Sequence, residues 1–247
     1  MMHQDAIQRD ESDLSRYSID IGHDQELHIL SDPINSWGYA TGNTLWTSAE
    51  ELIDFFNNRY PKNHFEGKRV LELGAGLGAV GMALAKKGAR VVLTDKAESM
   101  VLLKRNVEEN FGKEHHDQVK VAVLKWGTPI SRLPAGCQGP FDFVVGSDIV
   151  YGYKRNYRAL LRTLREVEGQ GTEIFLAIPD RKESKQIAGD LLNRQFLSER
   201  MSTIRKDHFE NPVVIWRLVS RMENVHAPDT EPPAPVQKSV SDRGPRQ

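Results

Sequence analysis

A glycine-rich segment is the first part of this sequence whose residue types and spacing could serve chemistry. Gly74, Gly76 and Gly78 directly follow a short, mostly apolar run at 69–73. Glycine lets the chain turn tightly and lets a ligand approach the backbone, and a helix that begins there offers free N–H groups. Two frames match a dinucleotide-binding fingerprint, one starting at Gly74 and one at Gly76. The segment therefore predicts a nucleotide-like ligand, without choosing among the folds that bind one.

Two carboxylates near these glycines narrow the choice of ligand. Glu72 lies two residues before Gly74, at the expected mouth of the strand, where a carboxylate would repel a pyrophosphate but attract an ammonium group, such as that of S-adenosylmethionine. Asp95 ends the next apolar run, at a separation from which a carboxylate can bind ribose hydroxyls. NAD would use Asp95 in the same way, and the structural alternative is an N-cap for the helix that follows. Glu72 is thus the residue that favours S-adenosylmethionine over NAD.

A second group of polar residues follows a later apolar run at 141–145. Ser147, Asp148 and Tyr151 come just after it, and parallel strands would bring them to the same edge as the glycines. Transfer of a methyl group to an amine requires positioning and an amine that has lost its proton. A carboxylate beside an aromatic hydroxyl can orient such an amine. The alternative is that Asp148 is a loop or cap residue and that Tyr151 packs on the core.

The ordered motifs resemble those of one enzyme family. Residues 72–78, Glu-Leu-Gly-Ala-Gly-Leu-Gly, are similar to the first motif of the class I, seven-β-strand methyltransferases. The tetrad Asp148-x-x-Tyr151 resembles the signature of their family 16, the non-SET protein-lysine methyltransferases. Residues 41–46 and the Leu-x-Trp-Gly step at 124–127 also resemble segments of that family. The resemblance spans nearly the whole presumed domain and implies an S-adenosylmethionine-dependent protein-lysine N-methyltransferase.

The resemblance implies a set of residues that bind S-adenosylmethionine, namely Trp46, Glu72, Gly74, Ala75, Gly76, Asp95, Trp126 and Ser147. In this set, the residues from Glu72 to Gly76 would cradle the methionine moiety, and Asp95 would hold the ribose. Trp126 would border the adenine. Ser147 would touch the cofactor beneath the acceptor site.

The same resemblance implies that Asp148 and Tyr151 are the catalytic residues that face the substrate lysine. Trp46 would close the cofactor pocket on its N-terminal side, although both it and Trp126 could equally be core aromatics. Lys125 departs from the acidic or small polar residue that often precedes this tryptophan, so the details of the adenine contact are open.

Other functions stay open at this point. Enzymes that methylate base amines commonly carry two prolines inside the tetrad, and the tetrad that starts at Asp148 has none. A small-molecule amine, a NAD-dependent oxidation and a non-catalytic scaffold are further alternatives. Glu72 argues against a NAD-dependent oxidoreductase. Every implied cofactor position has a residue type suited to its role, which argues against a non-catalytic scaffold. By family analogy, the first expected protein acceptor is a translation elongation factor.

Apolar runs alternate with amphipathic stretches between two polar chain ends. This alternation predicts a doubly wound α/β fold, Rossmann-like, with a mostly parallel seven-stranded sheet, helices on both faces and an N-terminal extension. Residues 47–50 predict a capping box, 187–196 a helix and 212–219 an edge strand. The predicted divisions of the chain are a flexible N-terminus at 1–15, the methyltransferase domain at 16–223 and a disordered Pro-rich tail at 224–247.

Composition restricts the expected location and partners. The 247 residues include 33 Lys+Arg and 34 Asp+Glu, so a net charge of -1 favours a protein acceptor over nucleic acid. The sequence shows no membrane-spanning run and no secretory signal, and its single cysteine, Cys137, excludes an intramolecular disulfide. The polar cluster 114–117 is interpreted as a solvated turn, so no metal site is expected. We expect a monomer in the cytoplasm, with the nucleus as a second location.

Overall fold

The computed structural model describes residues 13–22, 24–34, 41–113, 117–151, 154–181, 184, 196–206 and 211–220. Three predictions therefore fall wholly or largely outside the described residues. They concern the N-terminus 1–15, the polar cluster 114–117 and the tail 224–247.

Strands and helices alternate through the described part of the chain, as predicted. Its strands are β1 Ser15–Asp20, β2 Glu26–Ser31, β3 Arg69–Leu73, β4 Arg90–Asp95, β5 Val119–Val123, β6 Phe143–Ser147, β7 Glu173–Pro179, β8 Phe196–Ile204 and β9 Val213–Ser220. Its α-helices are α1 Thr47–Arg59, α2 Ala79–Lys86, α3 Met100–Phe111 and α4 Lys154–Val167. None of these helices is long and apolar enough to cross a membrane.

The main sheet has seven strands in the order β5-β4-β3-β6-β7-β9-β8. The strands from β5 to β7 in this order run parallel, whereas β9 pairs antiparallel with both β7 and β8. The chain moves outward from β3 to β5 and then crosses back to β6, so the strand order reverses between β3 and β6. Ligands bind beyond the carboxyl ends of the strands at such a reversal. The predicted Rossmann-like fold is confirmed.

Each central strand contributes to two hydrophobic cores, because alternate side chains point to opposite faces of the sheet. On β3, Val70 belongs to the core beneath α1, α2 and α3, whereas Leu71 belongs to the core beneath α4. On β6, Val145 and Val144 divide in the same way. Helices thus cover both faces and fix the positions of the strand ends.

β1 and β2 form a separate antiparallel hairpin, which is part of the predicted N-terminal extension. Two asparagines of α3 attach it to the domain. The Asn106 side chain accepts a hydrogen bond from the Leu30 N–H at 2.8 Å and donates to the Leu30 carbonyl at 3.0 Å. Asn110 makes the same pair with His28, at 2.9 and 2.7 Å. Two side-chain amides therefore occupy the hydrogen-bonding edge of β2 as a neighbouring strand would.

The capping box predicted at 47–50 is wrong. α1 begins at Thr47 with Trp46 as its N-cap residue, and no side chain caps the helix. Instead the backbone closes the first turn, because the Ala49 N–H donates to the Trp46 carbonyl at 2.9 Å. A hydrogen bond fixes the position of the Trp46 side chain, because its indole Nε1 donates to the Thr41 carbonyl at 3.0 Å.

Two predictions about the far end of the sheet are also wrong. β9, predicted as an edge strand, lies between β7 and β8. Phe196, predicted as the end of a helix, is the fully buried first residue of β8. Phe196 is the one buried residue among the nine of β8, so the strand shows little apolar alternation in the sequence. The rest of that predicted helix, 187–195, lies outside the described residues.

Candidate active site

The glycine segment forms a tight loop between β3 and α2. Gly74 has a φ of +63° and Gly76 a φ of +54°, a region that other residues enter at a cost. A Cβ atom at Gly74 would lie 2.8 Å from the Ile149 side chain. At Gly76 it would lie 3.0 Å from the carbonyl oxygen of Gly42. The loop therefore requires glycine both for its conformation and for its close contacts.

Asp95, at the end of β4, braces this loop. Its Oδ2 accepts a hydrogen bond from the Gly76 N–H at 2.8 Å. Its Oδ1 accepts from the Lys96 N–H at 2.6 Å and from the Ser99 hydroxyl at 3.1 Å. Because the two oxygens of a carboxylate offer about four acceptor positions, one remains on Oδ2 for a ribose hydroxyl. α3 itself begins only at Met100, after a short 3-10 turn, so Asp95 is not its N-cap.

Glu72 lies beneath the glycine loop rather than at its mouth. The residue is 1% exposed, and its Oε2 accepts a hydrogen bond from the Gly81 N–H at 2.8 Å. Gly81 is in the first turn of α2, where an N–H has no partner within the helix. Burial raises the pKa of Glu72 from 4.5 to about 8, although the Gly81 hydrogen bond opposes this shift. Glu72 thus caps α2 from the neighbouring strand.

Asp148 directly follows β6 in an uncommon backbone conformation. Its φ of +49° is in the left-handed region, which a side-chain-bearing residue rarely adopts. The Asp148 N–H donates to the Ala177 carbonyl on β7 at 2.9 Å, so strand pairing fixes this conformation. Strain of this kind is often found at functional sites.

Asp148 is a buried residue, and its carboxyl is paired with Arg181, which follows β7. Arg181 donates from Nη1 to Oδ1 and from Nη2 to Oδ2, both at 2.9 Å. Burial raises the pKa of Asp148, and the hydrogen bonds and charge of Arg181 oppose that shift. The result is a bidentate ion pair at the carboxyl ends of two adjacent parallel strands.

Tyr151 lies at the rim, 39% exposed, and its hydroxyl is 2.8 Å from the Thr41 hydroxyl. Thr41 also accepts the indole hydrogen bond of Trp46, which is 44% exposed. Gly42 packs on Gly76 in the same segment. Residues 41–46 therefore form a wall that joins the glycine loop to the loop of Asp148.

A single pocket connects these groups. Nine of the ten predicted site residues line it, namely Trp46, Gly74, Ala75, Gly76, Asp95, Trp126, Ser147, Asp148 and Tyr151. The tenth, Glu72, lies outside the lining and supports the loop from below. Trp126 is next to the glycines, since its Cζ2 is 3.2 Å from the position of a Cβ atom at Gly74.

Comparison with known proteins identifies the family. A family profile described as lysine methyltransferase matches residues 23–194. The chain belongs to this family. Protein N-lysine methyltransferase METTL21A of Danio rerio is 32% identical to it over 184 residues, which are 73% of this chain and 78% of the relative. EEF1A lysine methyltransferase 3 of Xenopus tropicalis is 35% identical over 157 residues, 63% of this chain and 66% of the relative. The predicted family and activity are confirmed.

Solved structures share the fold of this lysine methyltransferase at low sequence identity. The T. thermophilus 16S rRNA N2 G1207 methyltransferase RsmC, in complex with AdoMet and guanosine, has a TM-score of 0.59 at 17% identity, covering 84% of this chain and 51% of that one. Magnesium protoporphyrin IX methyltransferase from Synechocystis PCC 6803, with bound SAM, has a TM-score of 0.52 at 15% identity, covering 70% and 79%. The names of these two methyltransferases indicate very different acceptors, so the fold does not identify the acceptor.

The pocket of the lysine methyltransferase fits S-adenosylmethionine, the predicted cofactor, which family membership confirms. The left-handed glycines allow a ligand to approach the backbone, and Asp95 retains one acceptor position. Trp126 offers an aromatic wall beside the loop. The role of each residue toward the cofactor stays a prediction.

Sequence reasoning missed two residues of this methyltransferase site, Thr41 and Arg181. Thr41 lies in a segment that supported the family resemblance, but it received no role. Arg181 comes two residues after the buried strand β7. A charged residue just beyond a buried strand lies at the ligand-binding edge of such a sheet, and this position is the signal that could have revealed it.

Proposed function

We propose that the acceptor of this protein-lysine methyltransferase is a lysine ε-amine of a translation elongation factor of the 1A type. The likeness to EEF1A lysine methyltransferase 3 of Xenopus tropicalis supports this acceptor. The observation that carries the assignment of the site is the single pocket from the glycine loop to Asp148 and Tyr151. Its exposed rim at Tyr151 gives a protein-borne side chain a way in.

The residues divide into a cofactor end and an acceptor end. At the cofactor end, the glycine loop would hold the methionine moiety of bound S-adenosylmethionine, Asp95 would hold its ribose and Trp126 would border its adenine. Glu72 supports the loop and α2, while Trp46 and Ser147 complete the wall. When bound, S-adenosylmethionine supplies a methyl carbon that forms a bond to the acceptor nitrogen as its bond to sulfur breaks, with that electron pair passing to sulfur.

At the acceptor end, Asp148 and Tyr151 bind the ε-amine. The carboxylate and the hydroxyl oxygen both accept N–H hydrogen bonds, which orients the nitrogen lone pair. Thr41 holds the Tyr151 hydroxyl at 2.8 Å, so this oxygen is already positioned before an amine binds. The site therefore contributes orientation rather than a covalent step.

The remaining parts of the proposal concern the setting of the reaction. The enzyme acts as a monomer in the cytoplasm, with the nucleus as a second location, and nucleic acid is not its acceptor. The net charge of -1 supports a protein acceptor over a polyanion. Cell fractionation and size-exclusion chromatography of the purified protein test the location and the monomer.

The test is transfer of a radiolabelled methyl group to purified elongation factor 1A and, in parallel, to a cytosolic extract. We expect one labelled protein at the position of the elongation factor and a loss of at least about 100-fold in rate with Asp148→Ala. Calorimetry should show that Asp148→Ala still binds S-adenosylhomocysteine. Asp117→Ala, at an exposed position, is the matched control and should label as the wild type does.

Each other outcome has a definite meaning. Label in a different extract protein would contradict the elongation factor as acceptor and keep the lysine site. Label in RNA or in small molecules would contradict the protein acceptor itself. Mass spectrometry of lysine methylation in cells with and without the gene then names the modified residue.

A further inference from the structure

The Asp148 carboxylate, which the proposed function assigns to the substrate lysine, already has a cationic partner. Both Arg181 nitrogens donate to it at 2.9 Å in a bidentate arrangement. The Asp148 side chain is 7% exposed and that of Arg181 36%. Charge-assisted bidentate pairs are strong and hold both side chains in one geometry. Any amine that binds Asp148 therefore meets a carboxylate whose charge is already balanced.

The fold places this pair without help from a substrate. β6 and β7 are paired in parallel, so Asp148 and Arg181 leave the sheet at the same edge. Backbone hydrogen bonds fix the turn after β7. The Asp180 N–H donates to the Pro212 carbonyl at 2.7 Å, and the Arg181 N–H donates to the Pro179 carbonyl at 2.8 Å.

Charge balance decides which form of lysine the site favours. Each carboxylate oxygen can accept more than one hydrogen bond, so Asp148 can still bind an N–H of an amine. A protonated lysine would bring a second cation next to Arg181, whereas a neutral amine would not. A like charge at about 4–6 Å lowers the pKa of an amine. Without Arg181, the carboxylate would favour the ammonium form, which has no lone pair for attack.

We propose that Arg181 is a positioning residue that balances the charge of Asp148, so that the acceptor site takes up lysine as the free amine. This inference rests on the proposed function, because it needs a lysine ε-amine beside Asp148. The ammonium first releases its proton to solvent. The nitrogen lone pair then forms the C–N bond while the C–S electron pair passes to sulfur, and the methylated nitrogen carries the positive charge.

The pocket also has charged and titratable groups other than Asp148 and Arg181. Among the described residues, Asp95, Lys96 and Lys125 line it, and Tyr151 is the titratable group at the rim beside Asp148. Besides burial, Arg181 is the one group with a resolved effect on the pKa of Asp148. The charge of Arg181 is therefore the feature to remove in a test.

The experiment compares the wild type, Arg181→Gln and Arg181→Lys. The initial rate of protein labelling is measured against pH with saturating radiolabelled S-adenosylmethionine and a cytosolic extract as acceptor. The acidic limb of the profile should move up by about 1–3 pH units in Arg181→Gln. The direction is the same whether the amine or Asp148 keeps the additional proton, because the two groups titrate as a coupled pair. In Arg181→Lys, which keeps the charge, the limb should stay near the wild-type position.

Arg162→Gln is the matched control. Arg162 is an exposed cation of α4, close to Gly127, which follows Trp126 in the sequence, and it does not contact Asp148. Its removal should leave the limb in place. A shift as large as that of Arg181→Gln would overturn the proposal, because any nearby positive charge would then have the same effect.

Carboxyl carbon NMR of protein labelled at aspartate gives a readout that does not depend on activity. The pKa of Asp148 should be higher in Arg181→Gln than in the wild type, with S-adenosylhomocysteine binding retained. A limb that stays in place, with a lower rate at every pH, would mean that Arg181 is merely structural and would overturn the proposal. So would a shifted limb in Arg181→Lys, even if Arg181→Gln did not fold. If the wild type labels no protein, the proposed function fails, and the NMR result still decides whether Arg181 balances Asp148.

Discussion

At the cofactor end of the pocket, the hydrogen bonds of Glu72 and Asp95 to the loop and to α2 join residues that are close in the sequence, whereas at the acceptor end the side-chain hydrogen bonds join residues that are far apart. Glu72 and the Gly81 N–H are 9 residues apart, and Asp95 is 19 residues from the Gly76 N–H that it binds. Asp148 and Arg181 are 33 residues apart, and Tyr151 and Thr41 are 110 apart. The hydrogen bonds at the cofactor end join a side chain to a backbone N–H, and those at the acceptor end join two side chains.

Because of this difference, the two ends of the pocket tolerate different substitutions. The cofactor end depends on the backbone conformation of a glycine loop, which few substitutions leave intact. The acceptor end depends on pairs of side chains on loops that the sheet supports, and these can change without a change in the fold. Relatives with different acceptors can therefore share the cofactor end.

At the cofactor end, the largest expected effect comes from adding one methyl group, with Gly76→Ala. The residue is left-handed, at +54°, and its new Cβ atom would lie 3.0 Å from the Gly42 carbonyl oxygen. The loop must shift away from the wall at 41–46, so we expect affinity for S-adenosylhomocysteine to fall at least about tenfold, with about 1–2 kcal/mol of stability lost. Calorimetry and urea unfolding measure the two effects.

Gly67→Ala is the matched control for backbone strain. Gly67 has a similar φ of +70°, but no atom lies within 4 Å of its Cβ position, and it does not line the pocket. The Gly67→Ala variant should lose about as much stability as Gly76→Ala but should keep the wild-type affinity for S-adenosylhomocysteine. Equal losses of affinity in both variants would show that strain alone, rather than contact with Gly42, sets the binding.

The next effect concerns the pH dependence of stability, through Glu72→Gln. Because the pKa of Glu72 rises from 4.5 in its ordinary state to about 8 in the folded protein, the folded state binds more protons between these values. The contribution of Glu72 to stability is therefore fully present below about pH 4.5 and is lost as the pH rises toward 8. Glutamine keeps an acceptor for the Gly81 N–H and does not titrate.

Urea unfolding at several pH values between 5 and 8 tests this prediction. The slope of unfolding free energy against pH should differ between Glu72→Gln and the wild type by up to about 1.4 kcal/mol per pH unit. Glu66→Gln, at an exposed carboxyl, is the control and should run parallel to the wild type. A Glu72→Gln curve that also runs parallel would show that Glu72 is ionised in the folded protein.

Residue types and spacing were enough to predict the parallel sheet, the glycine loop and the pairing of the loop with Asp148 at one edge. Glu72 was predicted at the mouth of the strand but lies beneath the glycine loop, because its side chain is on the same face of β3 as Val70 and points toward α2. Arg181 was missed because its partner is determined by β7 lying beside β6, an arrangement that neither strand shows by itself.

The same reason explains what was missed outside the pocket. Asparagine is a common residue on the polar face of a helix, so the sequence gives no special signal at Asn106 and Asn110. Their hydrogen bonds to the backbone of β2 form only because β2 lies against α3. β8 has one buried residue, so its pattern gives no strong signal for a strand. Long-range partners of polar side chains were thus the part of the structure that the sequence could not predict.

The smallest expected effect tests the link between the two ends, through Thr41→Val. Valine has nearly the shape of threonine but removes the hydroxyl that is 2.8 Å from the Tyr151 hydroxyl. A hydrogen bond of this kind contributes about 0.5–1.5 kcal/mol, so kcat/KM should fall about two- to tenfold. Tyr151→Phe should also lower kcat/KM, and the double variant should be no slower than Tyr151→Phe alone, because Thr41 acts through the tyrosine hydroxyl. If the two losses simply add, Thr41 contributes to the wall independently, and the acceptor end is less dependent on residues 41–46 than the geometry indicates.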